Sequence, residues 1–169
     1  MRRLVVSFAA AMAVLAMTAA IVMAAITWHS GPTLTWNSDG SASATGNLSG
    51  LGNRPATASL TVSSFATYTC QNNGGNTAPG QNSVEVFGST GSQTLSSDKN
   101  GRATLNVSAG APDPAETVGG KVAGCPNGKW TGVNPQLTGP TTARLEITQG
   151  GQTIFCQVYT EGSSEGTAC

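Results

Sequence analysis

The sequence predicts an all-β, immunoglobulin-like β-sandwich of about seven or eight strands, disulfide-stapled, behind an N-terminal signal peptide. Three observations predict it. Short segments alternate apolar and polar residues, and none beyond the first 26 residues spaces apolar residues as a helix would. Gly, Asn, Asp and Pro separate these segments, as turns require. Four cysteines follow an export-type leader, which reads as two disulfides in an oxidising compartment.

The leader is the first element. Arg2 and Arg3 precede an apolar run from Leu4 to Ile26, broken by Ser7 and Thr18. A basic start, a hydrophobic region and small residues at Val22-Met23-Ala24 form a signal peptide, residues 1–24, cleaved after Ala24. The run is also long enough for an uncleaved membrane anchor over residues 4–26, because a helix spans a bilayer in about 20 residues. Either way the rest of the chain lies outside the cytoplasm. Residues 25–160 form the sandwich, and residues 161–169 form a mobile tail tied down by Cys169.

The strands follow in order. Thr33–Ser38 and Ser43–Leu48 flank Asp39-Gly40, a hairpin turn pair. The clearest alternation runs from Ala56 to Cys70, where Ala56, Ala58, Leu60, Val62, Ala66, Tyr68 and Cys70 share one face. Phe65 falls on the other face, so a bulge or bend is expected near Ser63-Ser64. Ser83–Phe87 turns Val84 and Val86 inward. Arg102–Ser108 does the same with Ala103, Leu105 and Val107. A strand is expected between Thr131 and Leu137, anchored by Trp130, and another over Thr141–Thr148 with Ala143, Leu145 and Ile147 inward. Gly150-Gly151 joins the latter to Thr153–Tyr159, which points Ile154, Cys156 and Val158 inward.

Composition narrows the function. Without the leader, 145 of the 169 residues remain, about one domain. Six Lys and Arg then face eight Asp and Glu, a net charge near −2. No basic patch offers nucleic acid an electrostatic footprint. No charge run marks a membrane surface. Four cysteines alone allow three pairings. Their wide spacings, with His29 as the sole histidine, do not suit zinc.

Several landmarks occur in a recognisable order: "SGLGN" (Ser49–Asn53), "ATYTCQNNGGNTAPGQN" (Ala66–Asn82), "KNGRATLNVS" (Lys99–Ser108) and "CPNGKW" (Cys125–Trp130). On these the chain resembles a family of small, uncharacterised secreted β-sandwich proteins of bacteria and fungi. The resemblance spans roughly residues 43–158. It implies a secreted sandwich and carries over no activity and no catalytic residue. It also implies that Cys70 pairs with Cys125, which leaves Cys156 for Cys169.

The loop from Cys70 to Asn82 has two readings. As a stapled connection it needs only turn-forming glycines and asparagines that bond their own backbone. As a binding loop, Asn72, Asn73, Asn76 and Asn82 present amides to a sugar or peptide, with Trp130 stacking nearby. The connection is the simpler reading. "DKNG" (Asp98–Gly101) matches a fragment of a calcium loop, but a hairpin turn accounts for it. No metal or cofactor is expected. Trp36 belongs to the core, and Trp28 covers a sheet edge.

Catalysis at neutral pH usually draws on a histidine or paired carboxylates. His29 stands beside the cleavage site, and no motif pairs the acidic residues. The chain is therefore expected to be a secreted non-enzyme: a binding module or extracellular surface or matrix component, whose partner is a glycan or a protein. The alternative is a secreted effector or inhibitor acting on a protein target. A hydrolase with an unrecognised site stands behind both. A membrane is a partner only if the leader is retained.

Overall fold

The computed structural model describes residues 26–169. The signal-peptide, cleavage and anchor readings therefore lie outside the described residues. The strands are β1 (Thr27–Trp36), β2 (Ala42–Ser49), β3 (Ala56–Gln71), β4 (Thr77–Pro79), β5 (Val84–Phe87), β6 (Gly91–Leu95), β7 (Arg102–Ala109), β8 (Thr117–Gly119), β9 (Thr131–Gln149), β10 (Gln152–Thr160) and β11 (Gly166–Ala168). One helical turn, α1 (Gly120–Ala123), follows β8.

They form two antiparallel sheets. The smaller has the order β1-β2-β7. The larger runs β11-β10-β9-β3, and β6, β5 and β4 pair in succession along the far edge of β3. β8 pairs with the start of β9. The inner faces share one core, in which Leu48, Leu60, Leu105, Leu145, Ile147 and Tyr159 meet small residues such as Ala44, Ala58 and Ala143. Each fully buried Leu contributes about 1.5–3 kcal/mol relative to leaving it exposed. Alanine between the large residues lets the sheets approach closely.

The expected hairpins form. Asp39 Oδ1 accepts from Ser41 N–H at 2.9 Å and closes the β1–β2 turn. Gly150 and Gly151, at φ 58° and 79°, make the β9–β10 turn. That left-handed pair is what a two-residue hairpin requires. Trp28 of β1, an edge strand of the smaller sheet, packs edge-on against Phe155 of β10 at 5.2 Å, between the two sheets rather than over a sheet edge as expected. The opposite edge strand, β7, is closed by Gln93. Its side chain donates to Thr104 O at 3.0 Å and accepts from Asn106 N–H at 2.7 Å, imitating a further strand.

Four further expectations are corrected. First, residues 131–149 are one strand, not two. Its bulges sit beside Asn134 (φ 51°) and Gly139 (φ 85°), each followed by proline. The prolines read as breaks, yet proline is tolerated at bulges and along an edge. Second, the irregularity expected near Ser63-Ser64 lies across the ladder in β9. β3 keeps its alternation: Ser64 is 3% exposed, inside, and Phe65 is 45% exposed, outside. Third, a bulge at Ile154 flips β10, so that Phe155, Gln157 and Tyr159 oppose Ile147, Leu145 and Ala143. Cys156 thus faces outward, because a one-residue slip reverses every later side chain. Fourth, residues 166–168 are not merely tail but a strand on β10. With β4, β6 and β8 it raises the count above the seven or eight expected.

Candidate functional site

β3 and β9 are 16 and 19 residues long, longer than the small sheet can cover. Their far halves carry a separate small core: Ala66, Tyr68, Cys70, Val86 and Ala123, with Val118, Cys125 and Trp130 packed against it. The segments between β3 and β5 and between β7 and β9 fold over this core as a cap.

The cap is held covalently. Cys70 and Cys125 are bridged, with Cα atoms 5.6 Å apart. Cys70 is fully buried and stands opposite Gly132 of β9 and Ala78 of β4. The other bridge, Cys156–Cys169, ties β11 to the outer face of β10. Hydrogen bonds complete the cap. Tyr68 O–H donates to Ala115 O at 3.1 Å. Cys125 N–H donates to Gly120 O at 2.7 Å. Asn82 Nδ2 donates to Lys121 O at 3.2 Å and Val122 O at 3.0 Å, clamping the end of α1.

On the cap surface lies a depression of about 290 Å³ lined by Asn72, Asn73, Gly74, Asn127, Lys129 and Trp130. Its geometry follows from two local turns. Asn72 Oδ1 accepts from Gly74 N–H and Asn76 N–H, each at 2.9 Å, which shapes the β3–β4 turn. Asn127 Oδ1 accepts from Lys129 N–H at 3.0 Å, and Trp130 N–H donates to Asn127 O at 3.3 Å. The staple between Cys70 and Cys125 roots both turns. The half-buried Trp130 leans on the small core and leaves part of its surface to the depression.

Of the residues singled out from the sequence, Asn72, Asn73 and Trp130 are brought together. Asn76 contributes its backbone to the turn but does not line the depression. Asn82 lies behind, engaged with α1. The sequence reading passed over Asn127 and Lys129, although both stand inside "CPNGKW". Their position between Cys125 and Trp130 was the available signal.

The depression offers amide and ammonium donors and one aromatic surface, while Oδ1 of Asn72 already accepts two hydrogen bonds within its own turn and Oδ1 of Asn127 one. Its lining carries no carboxylate and no histidine. At about 290 Å³ it reaches the lower limit for small-molecule pockets, the size of a single sugar ring. His29 is far off in β1, where its Nε2 bonds Ser49 Oγ at 2.9 Å. Among the described residues no three His, Cys, Asp or Glu side chains gather as a metal site would need. "DKNG" is a turn: Asp98 O accepts from Gly101 N–H at 2.9 Å. Among the described residues no helix is long and apolar enough to cross a membrane. No family model, curated protein or solved structure matches this chain.

Proposed function

We propose that this chain is an exported, non-catalytic binding module that takes a saccharide in the depression on its disulfide-capped end. The observation that carries the reading is the half-buried Trp130 beside Asn72, Asn73 and Asn127. A pyranose presents a C–H face that suits an aromatic ring and hydroxyls that suit primary amides, which both donate and accept. The staple at Cys70 and Cys125 holds the two loops before the ligand arrives, and so reduces the ordering cost of binding.

The immunoglobulin-like assignment belongs to this proposal. In its support, β1, β2 and β7 take the places of strands A, B and E, facing β3, β9 and β10 as C, F and G. Two disulfides and the leader-like start support export. The resemblance to a secreted sandwich family agrees with both.

An oligosaccharide array probed with the exported chain and with Trp130→Ala tests the proposal. The wild type binds a defined set of saccharides, and Trp130→Ala loses at least about tenfold, or about 1.4 kcal/mol. A blank array, or equal binding by both proteins, refutes it. A peptide hit competed by no sugar replaces the ligand class.

A further inference from the structure

The saccharide reading leaves two landmark motifs unused, Gly-Leu-Gly-Asn (Gly50–Asn53) and "DKNG" (Asp98–Gly101). The fold brings them together at the other end of β3. The β2–β3 loop forms one wall of a groove of about 470 Å³, and the turn from β6 to β7 forms the other.

Both walls are fixed from behind. Leu51 is 2% exposed and anchors the first wall in the sandwich core. Gln149 Nε2 donates to Leu51 O and Arg54 O, both at 2.8 Å. In the second wall, Asp98 Oδ1 accepts from Asn100 N–H at 2.8 Å and Arg102 N–H at 2.9 Å. Backbone bonds from Arg102 and Asn100 hold the Asp98 carboxyl below its ordinary range, with a smaller pull from the Arg102 charge. The one carboxylate in the groove is therefore engaged by its own turn.

The cations are not engaged. Arg54 and Lys99 line opposite walls, and neither has a carboxylate at ion-pair distance. The one ion pair among the described residues is Arg144–Glu146, elsewhere on the large sheet. Ser97, in the same wall as Lys99, has its Oγ closed off from solvent and so from the groove.

We infer that this groove is a second binding site, for a sulfate- or phosphate-type oxyanion. A guanidinium binds two oxygens of such a group side by side, and an ammonium binds as a point charge. Here those donors come from two facing walls, which suits a tetrahedral group better than a planar carboxylate. The oxyanion is either a free ion or an ester on a larger molecule.

The test is a titration of the whole exported chain with sodium sulfate, against sodium chloride at matched ionic strength, followed by backbone amide shifts. A sulfated disaccharide is titrated in parallel. The expected result is saturable shifts at Asn53, Ser97 and Lys99 with sulfate. Arg54→Gln with Lys99→Gln weakens binding at least tenfold. Both positions are exposed and outside the cores, so circular dichroism of the variant matches wild type. Tighter binding of the disaccharide assigns the site to an ester, and equal binding assigns it to the free ion. Equal shifts with chloride, or unchanged binding in the double variant, overturn the inference.

Discussion

Replacing both Cys70 and Cys125 with alanine should open one end of the molecule and leave the other closed. The bridge closes a loop of 55 residues. In the chain-entropy account it raises the free energy of the unfolded chain by about 4 kcal/mol. That figure is a ceiling, because the two cores are distinct. The cap rests on five buried residues, whereas the sandwich core has eighteen. With the staple gone, the cap can open while β6 and β7 remain anchored in the sandwich core. Alanine at position 70 leaves no buried polar group, so lost cross-linking dominates the effect. Native-state hydrogen exchange reads it directly. Amides donating Gly80→Tyr68 O, Asn82→Ala123 O and Cys125→Gly120 O belong to the cap. Their protection should fall by up to about a thousandfold, the equivalent of about 4 kcal/mol. Amides between β2 and β7 should change far less. A uniform fall across both cores would refute the separate-cap reasoning, and no fall at all would refute the staple's role.

Three further predictions follow from single groups. Asn82→Ala removes two hydrogen bonds to the carbonyl end of α1, so it should cost about 1 kcal/mol in urea denaturation and leave saccharide affinity unchanged. Gly91→Ala would drive a Cβ into the Ser108 carbonyl, which is backbone and cannot rotate aside; a lowered urea midpoint corresponding to about 1–3 kcal/mol is expected. Tyr159 is 1% exposed and burial holds its phenol above the ordinary value of 10.0. A raised folded pKa means that its contribution is complete below pH 10 and is lost as pH rises through the folded value. Melting temperature should therefore fall as pH rises above 10, less so in Tyr159→Phe.

Much of the sandwich was legible because its inner faces obey a period of two. Ala56 to Cys70 reads as a strand from its letters, and every even position from 56 to 70 is buried. The misreadings have physical causes. In β9, Asn134-Pro135 and Gly139-Pro140 look like ends, but bulges absorb them within a strand held on one side by β3. In β10, the bulge at Ile154 reverses a parity that the letters suggest. β4, β6, β8 and β11 carry almost no apolar signal, since they are edge pieces defined by the strand they pair with. At the depression, Asn72 and Trp130 were legible as polar loop and aromatic. That Asn82 faces α1 instead depends on the path of residues 110–125, which no local pattern encodes. The oxyanion groove was invisible for a related reason: Arg54 and Lys99 are 45 residues apart, and the turn between the sheets brings them together.

The most direct test of the binding account is the indole N–H region of a proton–nitrogen correlation spectrum, recorded while a saccharide hit is added. Three indoles report on three places. Trp28 and Trp36 have their Nε1 atoms buried against the sandwich, and Trp130 lines the depression. The account predicts one moving indole signal, that of Trp130, shifting saturably together with the side-chain amides of Asn73 and Asn127. A signal set that stays still, or movement centred on Trp28 or Trp36, would contradict it.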